Sequence, residues 1–102
     1  MSVATVRGGV PAPQRRTISA AGEKVVLPFM ALWLQIRSSA EAVKVYFAEL
    51  DYTRNENYIL VPVPSATEPW GWEGPAEIGE FWLKSNSATP AVVEIVGYQR
   101  RG

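Results

Sequence analysis

From Lys24 onward, apolar and polar residues alternate with a period of two, the pattern that sets one group of side chains on each face of a β-strand. In "VVLPFMALWLQIRSS", Met30, Leu32, Leu34 and Ile36 share one face, and Phe29, Ala31, Trp33, Gln35 and Arg37 share the other, which turns polar toward its end. In "EAVKVYFAELDYT", Val43, Val45 and Phe47 alternate with Lys44 and Tyr46, after which the apolar parity moves to Ala48, Leu50 and Tyr52. One bulge residue produces such a switch. "NYILVPVP" puts Ile59, Val61 and Val63 on one side, and its two prolines remove backbone donors, so it belongs at a sheet edge or a strand end. "EFWLKS" follows with Phe81 and Leu83 as core residues; "AVVEIVGYQRR" sets Ala91, Val93, Ile95 and Gly97 against Val92, Glu94, Val96 and Tyr98.

The β-branched and aromatic content of these segments favours strands. "SSAEAVKVYFAEL" competes as a helix, but its Val, Tyr and Phe cluster argues against one. Five or more short strands separated by "RSSAEA", "TRNEN", "PSATEPWGWEGP" and "SNSATP" predict an all-β, antiparallel β-sandwich, jelly-roll-like or immunoglobulin-like. Residues 1–24 differ: "RGGVPAP" has no sustained period, and short strand-like pieces occur only around Val3 to Val6 and Thr17 to Ser19. The expectation is an extended basic arm over residues 1–24, held down by its own domain or another chain, followed by a sandwich domain over residues 25–102.

Composition narrows the function classes. A chain of 102 residues, 47% apolar, suffices for one domain with a real core. With no cysteine and no histidine, the sequence excludes a disulfide framework, a thiolate zinc site and any Ser-His or Cys-His nucleophile. Ten basic and ten acidic residues cancel, which argues against nucleic acid as a partner. The N-terminus lacks a continuous apolar stretch and no run is long enough to span a membrane, so synthesis in a cytoplasm without a membrane partner is expected.

Charge is nonetheless segregated. Residues 1–16 carry Arg7, Arg15 and Arg16 and no acid, whereas residues 41–80 carry eight acids against Lys44 and Arg54, a net −6. Complementary patches of this kind fix register between partners, including neighbouring copies of one chain.

Three of the four tryptophans, Trp70, Trp72 and Trp82, crowd into "EPWGWEGPAEIGEFWLKSN" among acids. Such rings serve either as a platform for stacked sugar rings or as core and subunit contacts. Two carboxylate pairs, Glu49 with Asp51 and Glu77 with Glu80, have the residue type used in glycoside hydrolysis, but nothing else in the chain supports an enzyme. "DYTRNEN" lacks the spacing of a calcium loop and reads as a capped turn. Arg100 and Arg101 form a basic tail suited to acids on a neighbour. No catalytic, cofactor or metal residue is expected.

The basic Pro/Gly arm, the compact strand series, and the ending formed by Phe81-Trp82-Leu83-Lys84, the Ser85 to Thr89 turn and the Val92 to Val96 strand resemble small β-sandwich accessory virion proteins of tailed bacteriophages. The resemblance implies a capsid decoration or cement protein on the outer shell, bound to the major capsid protein and to copies of itself as a trimer or other homo-oligomer. Buried apolar contact, complementary charge and an arm ordered on docking would supply the affinity, multiplied across a lattice. On this reading the arm, Val6 to Arg16, crosses a neighbouring subunit through Arg7, Arg15 and Arg16, and Trp70 and Trp72 are aromatic anchors. Two alternatives stay open: another virion position, at the head-tail junction or tail, and a carbohydrate-binding module that uses Trp70 and Trp72.

Overall fold

The computed structural model describes residues 9–64 and 71–100, with side chains over 13–64 and 71–99. Six strands form one antiparallel sheet: β1 (Gly9–Ile18), β2 (Glu23–Ser39), β3 (Val43–Tyr46), β4 (Ile59–Val61), β5 (Trp72–Ser85) and β6 (Ala91–Arg100). Their spatial order is β1-β6-β2-β5-β3-β4, and the single helix among the described residues is α1 (Glu49–Arg54).

The sandwich is this one sheet folded on itself. β2 is 17 residues long, and its first part, Glu23 to Val26, pairs only with the end of β5, Leu83 to Glu80. Its second part, Trp33 to Ser39, lies between the start of β5 and β6. Between these parts four residues, Leu27 to Met30, stand opposite Gly79 alone, and a second register shift separates Ala31 from Trp33. Pro28 cannot donate to a ladder, and extra residues bend a strand and carry it from one layer to the other. The first layer is therefore β1, β6, late β2 and early β5; the second is early β2, late β5, β3 and β4. A shortest dimension of 20 Å matches two sheets stacked at about 10 Å.

These shifts reverse the parity of both long strands. Val25, Leu27 and Ala31 point inward before the second shift in β2, and Leu34, Ile36 and Ser38 after it. Met30, expected inward with Leu34 and Ile36, is 59% exposed. In β5 the inward set changes from Gly74, Ala76 and Ile78 to Phe81, Leu83 and Ser85. One core results, built from Leu34, Ile36, Val93 and Ile95 of the first layer and Val25, Val43, Val45, Val61, Phe81 and Leu83 of the second.

The arm expected over residues 1–24 is replaced, from Gly9 to Ile18, by an edge strand paired with β6 along its whole length, with Ile18 fully buried. Pro11 and Pro13 lie at alternate positions, so the donors they lack are on the side facing away from β6, which leaves that edge poor in donors. The parity change after Phe47 reflects α1 rather than a bulge. Its last turn closes on Asn55, in the left-handed region at φ 54°, whose N–H donates to Asp51 and Tyr52 carbonyls.

Two seams join the layers. Arg16 bridges to Glu23 at 2.6 Å, and Gln14 Nε2 donates to the Val26 carbonyl at 3.2 Å, across the free edge of β1. Elsewhere Ser38 Oγ donates to the Val61 carbonyl at 3.3 Å. The turn into β2 needs Gly22, whose φ of 81° and proximity to the Leu83 carbonyl leave no room for a Cβ.

Candidate functional site

The outward side chains of the first layer form rows perpendicular to the strands. Register places Arg15 of β1, Glu94 of β6 and Arg37 of β2 in one row, ending beside Gly71. The next row is Pro13, Val96, Gln35 and Glu73; the third is Tyr98, Trp33 and Pro75, with the backbone of Pro11 in register beside Tyr98. A charged row thus lies beside a mixed row and then a proline and aromatic row.

Three shallow depressions merge along these rows. One of about 300 Å³ lies by Pro13, Arg15, Glu94 and Val96; one of about 170 Å³ by Gln35, Arg37, Glu94 and Val96; one of about 210 Å³ by Gln35, Arg37, Gly71, Trp72 and Glu73. They adjoin through Glu94 and Val96, then through Gln35 and Arg37, and together they follow the rows as a shallow trough. Gly71 is required at its end, because a Cβ there would collide with the Ile36 carbonyl and come within 2.9 Å of Arg37 Cα.

The floor is fixed by hydrogen bonds and the wall is charged. The Tyr98 hydroxyl donates to Gln35 Oε1 at 3.0 Å, and Gln35 Nε2 donates to Glu73 Oε2 at 2.6 Å, so one amide is locked between two strands. Arg15, Arg37 and Glu94 are exposed, and none of the three makes an ion pair among the described residues. An arrangement like this can bind another surface by charge and shape.

The sequence-predicted residues scatter over this architecture. Arg15 lies in the trough. Arg16 is used internally, its Nη1 on Glu23 and its Nε donating to Gln14 Oε1 at 3.1 Å. Trp72 opens β5 rather than sitting in a loop, and its half-buried ring lies 5.8 Å from that of Phe47, centroid to centroid. It thus caps the core, flanked by a shallow groove of about 270 Å³ that includes Phe47, Pro75 and Ile78. Arg100 ends β6 opposite Gly9, its side chain not described. Arg7, Trp70 and Arg101 lie outside the described residues.

The carboxylate pairs part company. Glu49 and Asp51 occupy the first turn of α1, where acids favour the helix dipole, and Asp51 Oδ1 accepts from Asn57 Nδ2 at 3.1 Å. Glu80 bridges Lys24 at 2.6 Å, while Glu77 points from the first layer.

Sequence reading missed Gln35, Arg37, Glu94 and Glu73 as one site. Their signal was the polar outward parity of late β2 and of β6, which only register joins.

The outward face of the second layer is built differently. Register aligns Lys24, Trp82 and Tyr46 across β2, β5 and β3. Tyr52 from α1 stacks on Trp82 at 6.3 Å and meets Tyr46 edge-on at 5.6 Å. Lys84 Nζ sits 4.8 Å from the Tyr52 ring centre, and Lys44 Nζ is 4.8 Å from that of Tyr58. Burial holds the Tyr46 hydroxyl protonated above its ordinary range, with Tyr58 and Tyr52 adding to the effect; that hydroxyl hydrogen-bonds Asn55. The hydrogen bond to Glu80 raises the Lys24 ammonium above its usual value, partly offset by desolvation.

No protein-family model and no curated protein matches the chain. Its fold class is all-β antiparallel.

Proposed function

We propose that this chain is a structural assembly module of a virion, a decoration or cement protein on the outer surface of a tailed-bacteriophage capsid that stabilises contacts between major capsid subunits. What supports the reading is the outward face of the first layer: a four-stranded surface where the row Arg15, Glu94, Arg37 makes no ion pair among the described residues and lies along a shallow trough. Alternating charge on a rigid sheet gives register and orientation to a protein contact, and repetition across a lattice makes weak contacts effective.

The arm contributes differently from the sequence expectation. Arg15 faces outward from an ordered edge strand, and Arg16 closes a seam of the fold. The Trp72 ring, half-buried, is shared with Phe47, which leaves less of it for stacking a sugar than the carbohydrate-binding alternative expects.

Co-sedimentation of the purified chain with capsid shells that lack it tests the proposal. The wild-type chain should pellet with shells, and Arg15→Glu with Arg37→Glu together should reduce the bound fraction at least tenfold while the thermal unfolding midpoint stays close to wild type. Equal binding by both proteins overturns it, as does binding of the wild-type chain to soluble glycans but not to shells.

A further inference from the structure

We infer that the trough face of the first layer docks a second copy of this chain, face to face, about a two-fold axis that runs parallel to the strands between β6 and β2. The inference rests on the reading of this face as the contact surface of an assembly module, and it names as the occupant a neighbouring copy on the shell, so that loss of this face lowers shell binding by removing contacts between copies.

The strand order fixes what such an axis brings together. In the first layer the order is β1, β6, β2, β5, so the rotation lays β6 on β2 of the second copy and β1 on its β5. Height along the strands is unchanged by the rotation. Glu94 therefore faces Arg37 of the second copy, and by symmetry Arg37 faces its Glu94. In the next row Val96 faces Gln35 of the second copy. Arg15 lies over Gly71 of the second copy, one row from that copy's Glu73. Arg15 on β1 is thereby brought near an acid on β5 of the second copy.

Charge selects this axis over its neighbour. An axis displaced by half a strand, through β6 itself, would set Glu94 on Glu94 and Arg15 on Arg37. Like charges placed directly opposite are unfavourable, so the surface discriminates against that arrangement. The chosen axis puts no like pair in direct opposition in the charged row. It also pairs strands within the range of aligned sheet packing, about 30° apart after twist.

The size of the face sets the strength. Four strands about 4.8 Å apart and three rows about 7 Å apart span roughly 15–20 Å in each direction. That is roughly 200–400 Å² per copy, below the roughly 800 Å² per partner of standard stable interfaces. Self-association of the isolated chain therefore falls in the micromolar range or weaker, strengthened where copies are already concentrated on a lattice.

Sedimentation equilibrium across a wide concentration range, on the full chain, with Arg37→Glu and Glu94→Arg each alone and mixed in equal amounts, tests the inference. Both positions are exposed on a sheet surface, and thermal melts verify that the variants fold. Wild type should form a dimer that weakens as salt is raised, since the charges are exposed. Each single variant, which sets like charge on like, should weaken self-association at least tenfold. The mixture should form a one-to-one heterodimer tighter than either variant alone, because the doubly acidic row of one meets the doubly basic row of the other. A cross-strand role within one chain cannot produce that rescue on mixing. A monomeric wild type up to about millimolar concentration, undiminished dimerisation of Arg37→Glu, or no rescue on mixing each overturns the inference. If wild type is monomeric but Arg37→Glu still lowers shell binding, the self-partner falls and the assembly role stands. If the heterodimer forms but no shell is bound, the reverse holds.

Discussion

The two outward faces of the sandwich carry similar materials and treat them oppositely. The second layer has Trp82 and Tyr46 with three lysines; the first has Trp33 and Tyr98 with two arginines. In the second, α1 folds Tyr52 over the rings, Lys84 and Lys44 lie against aromatic faces, and Lys24 is bound to Glu80. In the first, Arg15, Glu94 and Arg37 have no ion-pair partner among the described residues. A cation over a ring or on a carboxylate is already satisfied by its own chain, whereas an unpaired alternating row is complementary to something outside it. One face has become a second small core, and the other is the surface proposed for contact.

Trp82→Ala tests the first half of that contrast and carries the largest expected effect. Trp82 is only 7% exposed although it points away from the main core, so its loss should cost about 3–5 kcal/mol, as for an interior aromatic. Chemical denaturation measures it. A loss below about 1 kcal/mol would mean that the second face is an ordinary surface and that the two layers do not differ.

Tyr52→Phe isolates the strap that holds α1 in place. The Tyr52 hydroxyl donates to the Ala21 carbonyl at 2.9 Å, tying the helix to the β1–β2 turn. Removing one such bond should cost about 1 kcal/mol and speed amide exchange in α1 ahead of the strands. Uniform exchange in both proteins would contradict the strap.

Much of this was legible in the sequence, and the failures have identifiable causes. The period of two in β6 put Ala91, Val93, Ile95 and Gly97 inward, and all four are buried. Phe81 and Leu83 stand in the core as their alternation indicated, and the prolines after β4 marked an edge strand. The bend in β2 was hidden because "VVLPFMALWLQI" is apolar at both parities, so either register satisfies the pattern. Early β5 was hidden by Gly74, Pro75 and Gly79, residues that usually mark turns but here sit where the strand bends. Six residues in α1 are too few to show a helical period. The contact face combines positions more than fifty residues apart, such as Arg37 and Glu94, and no local rule contains their register.

Alkaline titration probes the second face through Tyr46. Its folded hydroxyl is held above the ordinary value of 10.0, first by burial and then by Tyr58 and Tyr52. The stability linked to this shift is complete below pH about 10 and is lost as pH rises through the folded value, because the unfolded chain then ionises first. Lys24, also raised, adds a change of the same sign. The denaturation midpoint of the wild-type chain should fall more steeply between pH 9 and 12 than that of Tyr46→Phe. Parallel curves would show that Tyr46 titrates as a surface tyrosine.

Arg37→Ala carries the smallest expected effect on stability, and it bears most directly on the contrast. Arg37 is exposed in the middle of late β2, with Glu94 across the strand but no ion pair formed to it. Cross-strand charges at the surface contribute little, so the unfolding free energy of a dilute, monomeric sample should move by no more than about 0.5 kcal/mol. The Lys24→Ala variant in the other layer removes a pair at 2.6 Å and a cation 5.7 Å from the Trp82 ring centre, and it should cost more than Arg37→Ala does. Dilution separates the two faces further: the Lys24→Ala deficit should be independent of protein concentration, whereas an Arg37→Ala deficit should appear only as concentration rises and wild-type copies begin to stabilise one another by mass action. An Arg37→Ala deficit as large at low concentration as at high would place the work of that arginine inside its own chain.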